Sequence, residues 1–242
     1  MPAQREVQGA ATGALPEVTT HRVREEWRAR IAAEYTSAAI AQQVTLWLIQ
    51  AGAPPELIDA GLAIVADELA HSRLSHEVYT AAGGTAPPVI VREHLGLARR
   101  DPVLEIDLLS AIVRVFCLGE TVAVPLFKHL RAPCTEPIAR TALDRILVDE
   151  VRHRDFGWDT LDWLATTAIG DRIPAWITEH WPVLHGELEA TYGAANPATQ
   201  STEITPSERA WGLAAAADYA EILTRTVEKD FRTRFFARGV TI

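Results

Sequence analysis

Between His21 and Ala51 the chain has neither glycine nor proline, and Trp27, Ile31, Ala38, Val44 and Leu48 recur at the three-to-four-residue interval of one helical face. This predicts a first helix of about 45 Å at 1.5 Å per residue. Gly52 to Pro55 makes a tight connection, after which Leu57, Leu62, Val65, Leu69 and Leu74 carry a second helix to about Thr80. So short a connection implies an antiparallel hairpin. The stretch 81–101 holds two prolines, several glycines and one short amphipathic piece, and reads as a long crossover. Asp101-Pro102 then starts a third helix, since Asp suits the N-cap and Pro the first helical position, and it runs to about Leu130. Residues 131–135 turn the chain and Thr135 caps a fourth helix, which passes through Leu143, Ile146, Val151, Phe156, Leu161 and Leu164 to about Ile169. Two hairpins joined by one long crossover describe a four-helix bundle.

Beyond Gly170, Asp171 to Tyr192 forms a fifth helical segment rich in Trp and His, which Pro182 and Gly186 are expected to break in two. Thr205-Pro206-Ser207-Glu208 is a capping box opening a sixth helix that ends near Arg238-Gly239. No segment alternates with period two between turn signals, so the class is all-α. The division is a flexible arm at 1–19 and one helical domain at 20–242, with a core bundle at about 21–169 and accessory helices at about 171–238.

Composition narrows the partners. The 242 residues are 48% apolar and carry a formal charge of −9 without a basic tract, which argues against nucleic acid. Cys117 and Cys134 are the only cysteines, too few for thiolate metal sites, and fit a reducing compartment. The N-terminal sequence lacks the apolar stretch of a secretory signal and no run of 18 or more apolar residues occurs, so the expected location is cytoplasmic, away from membranes.

The chemistry lies in a repeat. Asp67-Glu68-Leu69-Ala70-His71 on helix two and Asp149-Glu150-Val151-Arg152-His153 on helix four both read DExxH. Random order of this composition would give about 0.03 such matches. Positions three apart share a helix face, so each Glu and His project together and can hold one metal ion. Asp67 and Asp149, four residues before each His, sit where a carboxylate could orient an imidazole, its own or one across the bundle. Glu68 and His71 lie 15 and 18 residues past a turn centred near residue 53, the level of residues 35–38 on helix one; Glu34, 19 before the turn, is nearest. Glu150 and His153 lie 16 and 19 past a turn near residue 134, and Glu120 lies 14 before it. Glu25, Glu26 and Glu105 are too far from those levels. Four acidic side chains on apolar stripes are prohibitive as bare anions, and two divalent cations cancel their charge. Carboxylates with imidazoles suit iron or manganese rather than a thiolate-seeking metal.

The order Glu, DExxH, Glu, DExxH on successive bundle helices, over about residues 21–169, resembles the ferritin-like di-iron carboxylate superfamily. Its members include bacterioferritin, rubrerythrin, the ribonucleotide reductase small subunit, acyl carrier protein desaturases and natural-product N-oxygenases. The resemblance implies terminal ligation by Glu34 and Glu120, bridging by Glu68 and Glu150, and one histidine per metal from His71 and His153. It implies two iron ions, with manganese as an alternative, and dioxygen as co-substrate. The expected activity is that of a non-haem di-iron oxidase or monooxygenase acting on a small organic substrate. Ferroxidase or iron storage, and peroxide consumption of the rubrerythrin or manganese-catalase kind, are the competing readings. The resemblance leaves room for an external electron donor and a homodimer.

Secondary features fit around this core. Gly119 and Pro125 flank Glu120 and predict a distorted third helix, by kink or π-bulge. Cys117 reads as a small buried residue, Tyr35 and Tyr79 as core aromatics, and His76, His94 and His129 as solvent-facing. The tryptophans of the C-terminal half read as packing for the accessory helices.

Overall fold

The structure, a computed structural model, describes residues 17–193 and 203–242. Most of the expected N-terminal arm and of the loop after Gly193 lies outside the described residues, although residues 17–19 already belong to the first helix. Helix α1 spans Glu17–Gln50, α2 Pro55–Ala81, α3 Leu104–Arg131 and α4 Pro137–Leu164. They are followed by α5 (Ile173–Tyr192), a short α6 (Pro206–Ala210) and α7 (residues 216–236). Among the described residues there is no strand, so the protein is all-α.

Each long helix has a local reason for its length. α1 runs without a breaker until Gly52, whose φ of 73° lets the Ala53 N–H reach back to the Leu48 carbonyl at 2.9 Å and close the helix end. Pro55 then opens α2 at the position where a missing N–H costs nothing. α1 packs along α2 and α3 along α4, while α2 also meets α4 and α1 meets α3. The core between them includes Trp27, Ile31, Val44, Leu48, Val113, Phe116, Leu143 and Leu161, all buried. α5 and α7 lie against α3, and α6 lies against α1.

Several expected boundaries move, each for a tertiary or capping reason. Asp101 accepts the Val103 N–H at 2.8 Å in a turn ahead of the helix rather than capping it, and the helix starts at Leu104 with Val103 at the N-cap. Thr135 is not the cap of α4. Its N–H and that of Glu136 both donate to the Ala210 carbonyl, at 3.0 and 2.9 Å, and α4 starts at Pro137. α4 stops at Leu164, short of Ile169. α5 is continuous through Pro182 and Gly186 because Ile173, Ile177, Leu184 and Leu188 bury one stripe against the bundle. The predicted sixth helix is two. Its capping box forms, with Thr205 and Glu208 bonding each other reciprocally, yet the chain turns at Gly212 (φ 80°) before α7 begins. The tryptophans serve packing as expected. Trp27 donates to the Trp211 carbonyl at 3.0 Å, and Trp158 donates to Thr121 at 3.0 Å while its ring meets Phe235 edge-on at 5.1 Å.

The distortion of α3 is a π-helical segment, Ile112–Gly119, and it precedes Pro125 rather than centring on it. The Glu120 N–H closes the segment by bonding to the Val115 carbonyl five residues back. Opposite it stands Gly157 of α4. A Cβ there would sit 2.6 Å from the Phe116 carbonyl carbon and 2.8 Å from the Cys117 nitrogen, so the two backbones touch. Gly157→Ala is expected to destabilise the fold by about 1–3 kcal/mol through overpacking. The check is the thermal midpoint, which should fall by about 2–4 °C per kcal/mol in a chain of this size. An unchanged midpoint would mean the helices part freely.

By length and mean hydropathy α3 is apolar enough to cross a membrane, although Arg114 and Glu120 interrupt its apolar run and 67% of its most apolar window is buried among the other helices.

Candidate metal centre

The four long helices bring together every residue that the motif spacing selects. Glu34 comes from α1, Glu68 and His71 from α2, Glu120 from α3, Glu150 and His153 from α4, and none is more than 8% exposed. Glu34, Glu68, His71 and Glu150 offer ligand atoms within 4.8 Å of one another, as do Glu68, Glu120 and His153. This buried cluster of carboxylates and imidazoles could hold metal.

The two central glutamates are shared between the histidines. Glu68 places Oε2 3.6 Å from His71 Nδ1 and Oε1 3.3 Å from His153 Nδ1. Glu150 places Oε1 3.8 Å from His71 Nδ1 and Oε2 3.5 Å from His153 Nδ1. Glu34 Oε2 lies 3.8 Å from His71 Nδ1. These separations are too long for good hydrogen bonds. Two donors about 2.1 Å from a metal and 90–109° apart stand about 3.0–3.4 Å from each other, so most of these pairs are a few tenths of an ångström wider than neighbouring ligands on one ion. Four atoms that face this space, Glu68 Oε2, His71 Nδ1, Glu150 Oε2 and His153 Nδ1, are buried without a hydrogen-bond partner. Buried polar atoms are otherwise almost always paired, so a concentration of four around one point fits a bound cation.

The outer nitrogens settle a question that spacing left open. His71 Nε2 meets Asp149 at 3.0 Å and His153 Nε2 meets Asp67 at 3.4 Å, so each aspartate serves the imidazole of the other motif. An Nε2–H donated to carboxylate leaves the Nδ1 lone pair pointing at the glutamates, the tautomer a metal ligand needs. Both aspartates are clamped from outside. Arg145 bonds Asp67 at 2.9 Å and also bonds Asp149, while Arg152 bonds Asp67 at 2.9 Å and Asp149 at 2.6 Å. Four glutamates and two aspartates give six negative charges. The two arginines and two divalent cations would balance them with both histidines neutral.

Without cations the same charge problem is met by protons. Burial, followed by the charge of Glu68, raises the Glu34 carboxyl from 4.5 to about 7 against the pull of His71, and burial raises Glu150 to about 8. Burial and then Glu150 push Glu120 well above the usual range. Burial also opposes ionisation of Glu68, but the neighbouring imidazoles of His153 and His71 outweigh it and hold this carboxyl below its ordinary value. Burial disfavours a charged His71, yet Glu34 and Glu68 raise it from 6.5 to about 11, and His153 is raised in the same way by Glu68. A proton on each Nδ1 thus occupies the place a cation would take.

A cavity of about 310 Å³ opens beside the cluster, with Glu34, Glu68, Glu120 and Glu150 at one end and Arg30, Phe127, Tyr192 and Tyr219 among its walls. A second, of about 340 Å³, shares Ser37, Glu120 and Tyr192 with it and is bounded by Val115 and Gly119 of the π segment. Tyr192 of α5 and Tyr219 of α7 are the accessory helices' contribution to these walls, and burial holds both phenols far above their ordinary pKa.

Other expectations resolve as follows. Tyr35 is 42% exposed rather than a core residue. Tyr79 is buried, its hydroxyl tied to both backbone groups of Ala86 at 3.0 Å. Cys117 is buried and its thiol raised by burial, and it lines neither cavity. His76 and His94 are exposed, whereas His129 is half-buried with Nε2 3.4 Å from Asp218 of α7. The motif search missed Ser37, which donates to Glu68 Oε1 at 2.9 Å, and the Arg145–Arg152 clamp. A signal for the clamp was present, because Arg145 and Arg152 stand four before and three after Asp149, the helical spacing of ion pairs. No family model and no curated protein matches this chain, so its residues and their geometry carry the functional argument.

Proposed function

We propose that this protein is a ferritin-like, carboxylate-bridged di-iron oxidoreductase that uses dioxygen to oxidise a small organic substrate. The observation that carries the reading is the shared arrangement of Glu68 and Glu150, each giving one oxygen to each histidine, around four buried atoms without partners. Glu34 and Glu120 would be terminal ligands, Glu68 and Glu150 bridges, and His71 and His153 Nδ1 ligands. When bound, two ferrous ions supply the electrons and open coordination positions that dioxygen reduction requires. The chain's part is to fix the ligand geometry through Asp67, Asp149 and their arginines, and to keep the site dry. Tyr192 remains a neutral phenol at the cavity wall.

An organic substrate, rather than iron alone, is favoured by the cavity. Ala33, Ala123, Leu126 and Phe127 face the same space as the four glutamates, and α5 and α7 help to enclose it. The test is metal analysis, then anaerobic loading with ferrous iron and exposure to oxygen. Two irons per chain with rapid oxygen uptake is the expected result. Iron far above two per chain would favour storage, fast peroxide turnover would favour a peroxidase or catalase role, and absence of oxygen uptake would reject oxidase chemistry.

A further inference from the structure

The outer face of the α1–α2 hairpin is apolar and uncharged. Between Ile31 and Pro55 the only Asp, Glu, Lys or Arg is Glu34, and between Ala60 and Ser72 the only ones are Asp67 and Glu68. All three are buried at the cluster, so no exposed charge interrupts these two stretches, although 23% of the chain is charged. Exposed there instead are Tyr35 (42%), Leu46 (44%) and Ile49 (52%) on α1 and Leu62 (47%) on α2. Tyr35, Ala39, Gln42, Leu46 and Ile49 follow one another at intervals of four and three, the seam along which one helix meets another. An exposed apolar patch of this kind marks an interaction surface.

Both helices present the patch to one side. A Cβ on Gly61 would lie 2.4 Å from Thr45 Oγ1, so positions 45 and 61 face each other across the hairpin. The next residue of each, Leu46 and Leu62, is turned about 100° from that contact. In two antiparallel right-handed helices those turns lead to the same side. None of these residues lines the cavities beside the cluster, so a partner seated here would not fill them.

We propose that this face pairs with the same face of a second copy, about a two-fold axis near Gln42, to form a homodimer. Charge selects the occupant. A chain of net charge −9 repels its own copy over most of its surface, and least where charge is absent. Phe236 is 78% exposed, but it shares its surface cavity with Arg232, so copies meeting there would oppose like charges. The extent agrees as well. Residues 35–50 run about 24 Å and two adjacent helices are about 20 Å across, about 500 Å² in projection, near the roughly 600 Å² per partner at which specific interfaces begin. Gln42 lies seven residues from both Tyr35 and Ile49, so an antiparallel copy of α1 would set Tyr35 against Ile49 and Gln42 against itself. A side-chain amide both donates and accepts, so Gln42 can satisfy its own copy. The pairing does not depend on the metal centre.

Sedimentation velocity of the full-length protein at micromolar concentration is expected to give a dimer. Leu46→Glu and Ile49→Glu place an unpaired carboxylate in both copies and should each weaken it at least about 100-fold, with circular dichroism unchanged. Phe236→Glu should leave the dimer intact. Oxidative crosslinking reads the register. Gln42→Cys should form a disulfide with its own copy, whereas Tyr35→Cys and Ile49→Cys, each about 21 Å from its own copy, should crosslink only when mixed. Native Cys117 and Cys134 are buried and should stay out of the reaction. A monomeric wild type would overturn the proposal, including one that floats with phosphatidylcholine vesicles through the same face. So would a dimer that survives both glutamate variants, a dimer dissociated by Phe236→Glu, or self-crosslinking of Tyr35→Cys in place of Gln42→Cys.

Discussion

Glu68→Ala and Glu150→Ala are each expected to yield a folded protein that no longer holds a pair of metal ions. Both carboxylates give one oxygen to each side of the cluster, so under the proposed two-metal reading losing either would remove a ligand from both ions at once. The fold should survive, because removing a buried carboxyl also removes its desolvation cost in the metal-free state. Asp149→Asn is expected to act less severely. Within the cluster Asp149 touches only the outer nitrogen of His71, and the change should weaken metal binding by about 10–100-fold, the usual effect of losing a ligand's hydrogen-bond partner. Glu25→Ala and Glu105→Ala, far from the cluster's level, should leave metal content unchanged. Elemental analysis after equilibration with Mn(II) or Fe(II), with circular dichroism as the folding control, distinguishes these classes. Near-normal metal in both bridge variants would reject the assignment.

The stability of the metal-free protein should fall as pH rises from about 5 to 9, while that of the loaded protein should not. Glu34 and Glu150 keep protons in the folded state to about 7 and about 8, whereas the unfolded chain releases them near 4.5. His71 keeps its proton to about 11 against an unfolded value of 6.5. In each case the folded state binds more protons across the window, so stability is highest below the unfolded value and is lost as pH climbs toward the folded one. Glu68, held below its ordinary value, contributes no slope above about pH 5. A net loss of only about 2 kcal/mol would lower the thermal midpoint by about 4–8 °C. Metal reverses the dependence, because ligation needs the deprotonated groups and proton competition fades with rising pH. At a metal concentration about 1,000 times the dissociation constant, one site adds about 4 kcal/mol. Thermal midpoints of chelator-treated and metal-loaded protein at pH 5.5, 7.0 and 8.5 give the comparison. A metal-free midpoint that rises over this range would contradict the picture of protons standing where cations belong.

The cluster was legible in the sequence because its spacing is a property of one helix. Glu68 with His71, and Glu150 with His153, share a face through the three-residue interval alone. Glu34 and Glu120 follow from counting along two hairpins, which works while the helices stay regular to within a turn. α3 does not stay regular, and Glu120 reaches the cluster at the end of the π segment Ile112–Gly119. Nothing in the apolar pattern of that segment distinguishes π from α winding. Gly157, four residues after His153 and in backbone contact with Phe116, shows why: the distortion is set by what packs against it. The continuity of α5 and the division of the last helix have the same origin, burial of one stripe in the first case and the Ala210 carbonyl held by Thr135 and Glu136 in the second.

By itself the sequence determined an all-helical chain with six inward-facing candidate ligands at matched levels, because helix periodicity and capping act within a few residues. Only the tertiary structure decided that Asp149 serves His71 and Asp67 serves His153, that Arg145 and Arg152 lock both, and that Arg30 shares a cavity with the glutamates. Those pairings join residues distant along the chain, and which partner each side chain meets depends on the separation and rotation of whole helices, quantities that no local spacing encodes.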